Sequence, residues 1–137
     1  EEAGGVTVQD PLWIREIEEV AMHDQQLTLF GGPAGIRDRG LLESALARPN
    51  NSLAYSDTPP TLSRLAAAYA FGIASNHPFV DGNKRTALVV SFTFLEVNGF
   101  EVTASQEDAY ETILGLAAGT INEEKLAGWF ERNTAAR

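Results

Sequence analysis

The sequence predicts an all-α single domain, a compact helical bundle with a central loop between two buried helices. Three observations predict it. Residues 61–75 (TLSRLAAAYAFGIAS) and 86–97 (TALVVSFTFLEV) are apolar nearly all round, as helices at the centre of a bundle are. Short polar breaks carrying glycine or proline interrupt the helical patterns. The 137 residues, 44% hydrophobic and 21% charged, have the composition of an ordinary globular chain and the length of one domain with a sizeable core.

Taken in order, the chain begins without an initiating Met, so residues 1–10 are set aside as an N-terminal extension and the domain is placed over 11–137. Asp10-Pro11 reads as a cap followed by the proline favoured at the first helical position, and Leu12, Trp13, Ile17, Val20, Ala21 and Leu27 recur near helical period. A first helix is expected over about 11–27. Gly31-Gly32-Pro33-Ala34-Gly35 is a turn, because glycine is entropically costly in a helix and proline lacks the amide donor. A short helix over residues 41–46 should stop before Pro49, leaving residues 50–60 as a polar surface loop or flap. In 86–97 the β-branched residues suit a strand, but the length and the Asn98-Gly99 stop favour helix. Residues 100–103 are the only plausible strand. Ser105-Gln106-Glu107-Asp108 resembles a capping box opening a helix that ends at Gly119, and a last helix is placed over about 122–132.

Charge narrows the function classes. Ten Lys and Arg against 19 Asp and Glu give a net charge of -9, a surface that repels phosphate backbones, so direct nucleic-acid binding is not expected. The chain has no cysteine, which excludes disulfides, thiolate zinc sites and a cysteine nucleophile. No stretch approaches the roughly 18 unbroken apolar residues of a membrane span, and the acidic start is unlike a signal peptide. A soluble, cytoplasmic protein is expected, with no membrane partner.

One segment carries chemistry: His77-Pro78-Phe79-Val80-Asp81-Gly82-Asn83-Lys84-Arg85, the densest polar cluster, lying between the two most buried helices. A loop on such rigid supports suits a site that needs fixed geometry. Asp81 or Gly82 should cap the incoming helix. Lys84 and Arg85 then fall in its first turn, where the helix dipole already supplies partial positive charge and two cations are unfavourable unless an anion joins them. With Gly82 allowing close approach and the first-turn amides unpaired, the ensemble suits phosphate. Asp81 is a candidate Mg²⁺ ligand, since Mg²⁺ takes one or two carboxylates together with phosphate oxygens and waters, and His77 is a candidate general base. Taken singly these residues have plain roles: Asp81 a cap, a histidine beside proline a hydrogen-bonded structural residue, Lys84-Arg85 a solvated pair. A cap needs only one of them. His23, on the first helix, reads as a structural residue or one that hydrogen-bonds the loop. Arg37, Asp38 and Arg39 read as an exposed loop of mixed charge with reach toward a target or nucleotide.

The nine residues HPFVDGNKR closely resemble the signature of the Fic/Doc family, His-x-Phe-x-Asp/Glu-Gly/Ala-Asn-Gly/Lys-Arg. The resemblance is greatest to the death-on-curing (Doc) toxin branch. It extends to His23-Asp24, to Gly31 through Gly35 with Asp38, to Ala54-Tyr55, to Thr86-Ala87-Leu88, to Phe94-Leu95 with Asn98-Gly99, and to Gly115 through Ile121. It covers about residues 12–130. It implies a compact Fic/Doc-like helical fold and transfer of the ATP γ-phosphate to a threonine of elongation factor Tu, which stops translation. It further implies that His77 is the general base, Asp81 the Mg²⁺ ligand, and Gly82, Asn83, Lys84 and Arg85 the phosphate-holding positions, with Phe79 anchoring the loop. Lys84 stands where AMP-transferring relatives have a second glycine, and Gly82 where the best-known Doc pattern has alanine. An antitoxin of Phd-like type is the implied partner, because the Ser/Thr-x-x-x-Glu-Gly/Asn helix of self-restraining relatives is missing; the nearest stretch, Thr120 to Glu124, is followed by Lys125. The competing readings are AMP transfer to a protein hydroxyl and a catalytically silent binding module. A metal-dependent phosphohydrolase is weaker, since two histidines give too few ligands.

Overall fold

The structure, a computed structural model, describes residues 10–137. The proposed extension therefore lies outside the described residues apart from Asp10. Six helices and two short strands follow in the order α1 (Glu16–Phe30), α2 (Arg39–Ala54), α3 (Leu62–Asn76), α4 (Asn83–Val97), β1 (Phe100–Val102), α5 (Gln106–Ala118), α6 (Glu123–Arg132) and β2 (Thr134–Ala136). The all-α expectation holds, with a small antiparallel β1–β2 pair added.

α3 is the axis of the bundle. It is buried along almost its whole length and packs against α2, α4, α5 and α6. Its alanines allow those neighbours to come close, and Gly72 lets α2 closer still: a Cβ there would stand 3.1 Å from Ala45 Cα. Tyr69, Phe94 and Phe130 fill the core among Leu65, Ile73, Ile113 and Leu126. Thr61, Ser105 and Asn122 cap α3, α5 and α6 by accepting the backbone N–H three residues on, and Gly119 ends α5 in the left-handed conformation.

Two boundaries and one strand pairing differ from expectation, each for a tertiary reason. Pro11 does not open a helix, and α1 starts only after Arg15. The preceding segment is held out of the helix, because Leu12 N–H donates to Asn98 Oδ1 (2.9 Å) and Ile14 N–H to the Tyr69 hydroxyl (3.0 Å). α2 does not stop before Pro49 but carries it inside and runs to Ala54, so the loop expected from residue 50 begins at Tyr55. Arg48 lies over the Phe71 ring of α3, 4.5 Å from its centroid, and pairs with Glu123 at the start of α6, fixing α2 around the proline. The strand expected at 100–103 finds a partner that local pattern did not announce, β2, in the register Phe100↔Ala136 and Val102↔Thr134.

Candidate functional site

The loop between α3 and α4 is built from its ends inward. α3 ends at Asn76, and His77 follows with φ 49 and ψ 56, the only non-glycine residue with positive φ among the described residues. Such backbone persists only where the surroundings over-determine it, and it concentrates at functional sites. Phe79 then turns into the core, fully buried, and Asn83 closes the loop on it: Phe79 N–H donates to Asn83 Oδ1 and Asn83 Nδ2 donates to Phe79 O, both at 3.0 Å. Two side-chain bonds to one residue's main chain fix the loop as an almost rigid unit, with Asn83 itself buried.

Gly82 is the N-cap of α4, at φ 78, and no side chain caps the helix. The open choice between Asp81 and Gly82 is thereby resolved: the Asp81 carboxylate is not spent on the cap. The first-turn amides are left without a side-chain acceptor, with the positive end of the helix dipole behind them. Asp81 and Lys84 are exposed, Arg85 half-buried. The Arg85 guanidinium sits between two rings, 3.8 Å from the Phe30 centroid and 4.6 Å from that of Tyr110. Stacking uses its faces and leaves its in-plane N–H donors directed outward. Neither Lys84 nor Arg85 forms an ion pair among the described residues.

His23 is buried at 1% exposure and reaches the loop from α1. Its Nε2–H donates to the Asp81 carbonyl at 2.7 Å, while its ring stacks on Phe79 with centroids 3.7 Å apart and planes at 7°. The reading of His23 as a residue that hydrogen-bonds the loop is thus the observed geometry. The glycine-rich turn flanks the other side, since a Cβ on Gly32 would collide with Asp81 Oδ2. That contact explains a glycine at 32 beyond its value as a helix break.

His77, Asp81, Gly82, Asn83, Lys84 and Arg85 all line one cleft of about 350 Å³, with Gln26, Leu27 and Phe30 of α1 and Tyr110 of α5 as its other walls. The six candidate residues are thus together. Among the described residues no group of three or more His, Asp or Glu could hold a metal. Asp81 is accordingly a single carboxylate beside free amides and two cations, a donor set that fits Mg²⁺ carried in with phosphate oxygens and waters, not a cation caged by protein alone.

Sequence reasoning missed Phe30 and Tyr110, whose contact with Arg85 joins three separate helices; the 37–39 segment is exposed as expected, but the bonds it makes were not foreseen. Arg37 donates from Nε to His77 O and from Nη2 to Asn76 O, each at 2.7 Å. Asp38 caps α2 through Leu41 N–H at 3.0 Å, and Arg39 pairs with Glu16. All three are structurally engaged. Asp38 alone carried a readable signal, a capping residue at a helix start.

Comparison with known proteins follows the same segment. The family model described as "Fic/DOC family" matches residues 13–95. A protein of Escherichia phage P1 named "Protein kinase doc" is 36% identical over 115 residues, covering 84% of this chain and 90% of that protein. A protein of Mycolicibacterium smegmatis named "Toxin Doc" is 47% identical over 75 residues, covering 55% of this chain and 58% of that protein. The second match thus spans less than two thirds of the relative's length.

Proposed function

The chain belongs to the Fic/DOC family, and on that premise we propose that it is a Doc-type toxin, an enzyme that transfers the γ-phosphate of ATP to a threonine hydroxyl of elongation factor Tu and so stops translation. The observation that carries the reading is the uncapped start of α4: first-turn amides without a side-chain acceptor and Lys84 and Arg85 without an ion pair among the described residues, with His77 and Asp81 on the same cleft. The names of the two relatives, a toxin and a kinase, support the same direction.

In this mechanism the amides of Asn83, Lys84 and Arg85 and the two side-chain cations hold the phosphates, and Asn83's carboxamide keeps the loop closed around them. Arg85, pinned between Phe30 and Tyr110, presents its donors at a fixed place. Asp81 would hold Mg²⁺, which supplies charge neutralisation to phosphate oxygens. An unprotonated nitrogen of the His77 imidazole accepts the proton of the threonine hydroxyl as its oxygen forms a bond to the γ-phosphorus and the bond from that phosphorus to ADP breaks. Phosphoryl transfer is mainly positioning and charge stabilisation, so little more is required of the protein. Lys84 sets which phosphorus reacts. Its ammonium attracts a terminal phosphate, and its side chain fills space that a diphosphate would use above a glycine.

Restraint falls to a partner, an antitoxin of Phd-like type. Thr120 to Glu124 supports this: residues 120–122 form the α5–α6 turn, with the Thr120 hydroxyl bonded to Gly115 O (3.0 Å), and Glu123 and Glu124 open α6, so the stretch is no separate inhibitory helix. A cytoplasmic location suits such a target and partner, and among the described residues no helix is long and apolar enough to cross a membrane.

The test is intact-mass analysis of elongation factor Tu after incubation with this protein and MgATP, repeated with ATP labelled at the α or the γ position. The expected product gains one phosphate and carries γ label, and Lys84→Gly sharply lowers that transfer. Gain of AMP and α label by wild type and variant alike replaces the reading with AMP transfer. No product of either kind leaves the binding-module reading in its place.

A further inference from the structure

We propose that Arg37 is a positioning residue for His77, holding its main chain in the left-handed turn that presents the imidazole to the cleft; this rests on the reading of His77 as the general base. The end of α3 needs an outside partner. A helix leaves its last carbonyls unsatisfied and its C-terminus partly negative, and α3 has no basic residue in its last turn. Arg37, some 40 residues earlier in the chain, supplies both the charge and the donors. Its Nε and Nη2 each stand 2.7 Å from a carbonyl oxygen, those of His77 and Asn76. The rigid fork of a guanidinium suits two adjacent acceptors, as a lysine ammonium does not.

His77 has reason to need the grip. The following Pro78 disfavours the right-handed helical region for the residue before it, leaving His77 the extended and left-handed regions. Left-handed backbone is uncommon for any residue with a side chain, histidine included, although asparagine, aspartate and histidine enter it more readily than others. A change to extended ψ would swing the His77 carbonyl away from Arg37, so the two-point contact selects the left-handed state. Arg37 is itself aimed by main-chain bonds. Its N–H donates to Pro78 O at 2.7 Å, Val80 N–H donates to Gly35 O at 3.0 Å, and Ile36 bridges Phe79 between them. The 35–38 segment is thus laid antiparallel along 78–80, with Arg37 directed back at the helix end. Arg37 is exposed, and the α3 core packing does not use it.

The test is a double-mutant cycle on the transfer assay with elongation factor Tu and MgATP, joined to NMR of the His77 main chain. Arg37→Gln is expected to lower kcat about tenfold or more, but by less than the 10²- to 10⁴-fold that losing the general base itself would cost, with KM for MgATP and the melting temperature near wild type. Placed in a His77→Ala background, the same substitution should change nothing further, because two residues acting as one unit are non-additive. Arg37→Lys should fall between wild type and Arg37→Gln. Equal losses in both backgrounds, or a raised KM with kcat intact, would overturn the proposal and make Arg37 a substrate contact or a general stabiliser. The His77 Cα and Cβ chemical shifts report its backbone region without any reaction, and they should move in Arg37→Gln; unmoved shifts also overturn the proposal. Absence of transfer by the wild type would instead count against the functional reading, and the shifts alone would then decide whether Arg37 sets the His77 turn.

Discussion

Glu19 sits on the inward face of α1 at 0% exposure, and neither carboxylate oxygen has a hydrogen-bond partner among the described residues. Burial pushes its pKa from the ordinary 4.5 up to about 8, with a smaller push from the charge of Glu16. At neutral pH the side chain is therefore protonated in the folded protein and ionised in the unfolded chain. Stability from this group is fully present below pH 4.5 and declines as pH rises toward 8, at up to about 1.4 kcal/mol for each pH unit. Glu19→Gln, nearly isosteric and permanently neutral, removes that slope. Its melting temperature should exceed wild type at pH 8 to 9, with the two curves meeting near pH 4, and thermal melts across that range would check it. Parallel curves would show that Glu19 titrates normally. The same residue illustrates what spacing conceals: α1 buries Glu19, His23 and Gln26, a polar stripe that no apolar periodicity could announce.

At the scale of elements, the pairing of α2 with α3 has the narrowest tolerance. The ideal Cβ of residue 72 lies 3.1 Å from Ala45 Cα and 3.2 Å from the Ala45 carbonyl oxygen, both backbone atoms that cannot rotate aside. Gly72→Val should cost about 1–3 kcal/mol through overpacking, read as a lower melting temperature in circular dichroism with the helical signal retained. An unchanged midpoint would mean that α2 shifts freely. That same Ala45 carbonyl is the one to which Pro49, lacking an N–H, cannot donate. Proline was legible as a helix stop, and locally that is sound. The helix continues because Arg48, one residue earlier, is held by Phe71 and Glu123. The caps at Thr61, Ser105 and Asn122 were readable because cap and amide are three residues apart in the chain.

For the whole molecule the governing contrast is a net charge of -9 around a cleft whose rim carries Lys84 and Arg85. The overall field favours a partner with basic portions and disfavours polyanions, while the local amides and cations still draw phosphate at short range. If restraint comes from a partner as proposed, production of this chain alone in a bacterial cell should arrest growth, and His77→Ala at the same level should not. Colony counts after induction, with soluble yield measured in parallel, test this. Harmless accumulation of folded wild-type protein would count against a toxin.

By itself the sequence determined the helical class, the two central helices, and the loop between them with its residues in order. Each of these depends on contacts within a few positions or on apolar surface that must be buried somewhere. Tertiary structure alone decided where α1 begins, that α2 passes Pro49, that β1 acquires β2, and what holds the site in shape. His23 reaches Asp81 across 58 positions, and Arg37 reaches His77 across 40. A hydrogen bond between such distant residues depends on how the whole chain packs, and it outweighs local propensity where the two disagree.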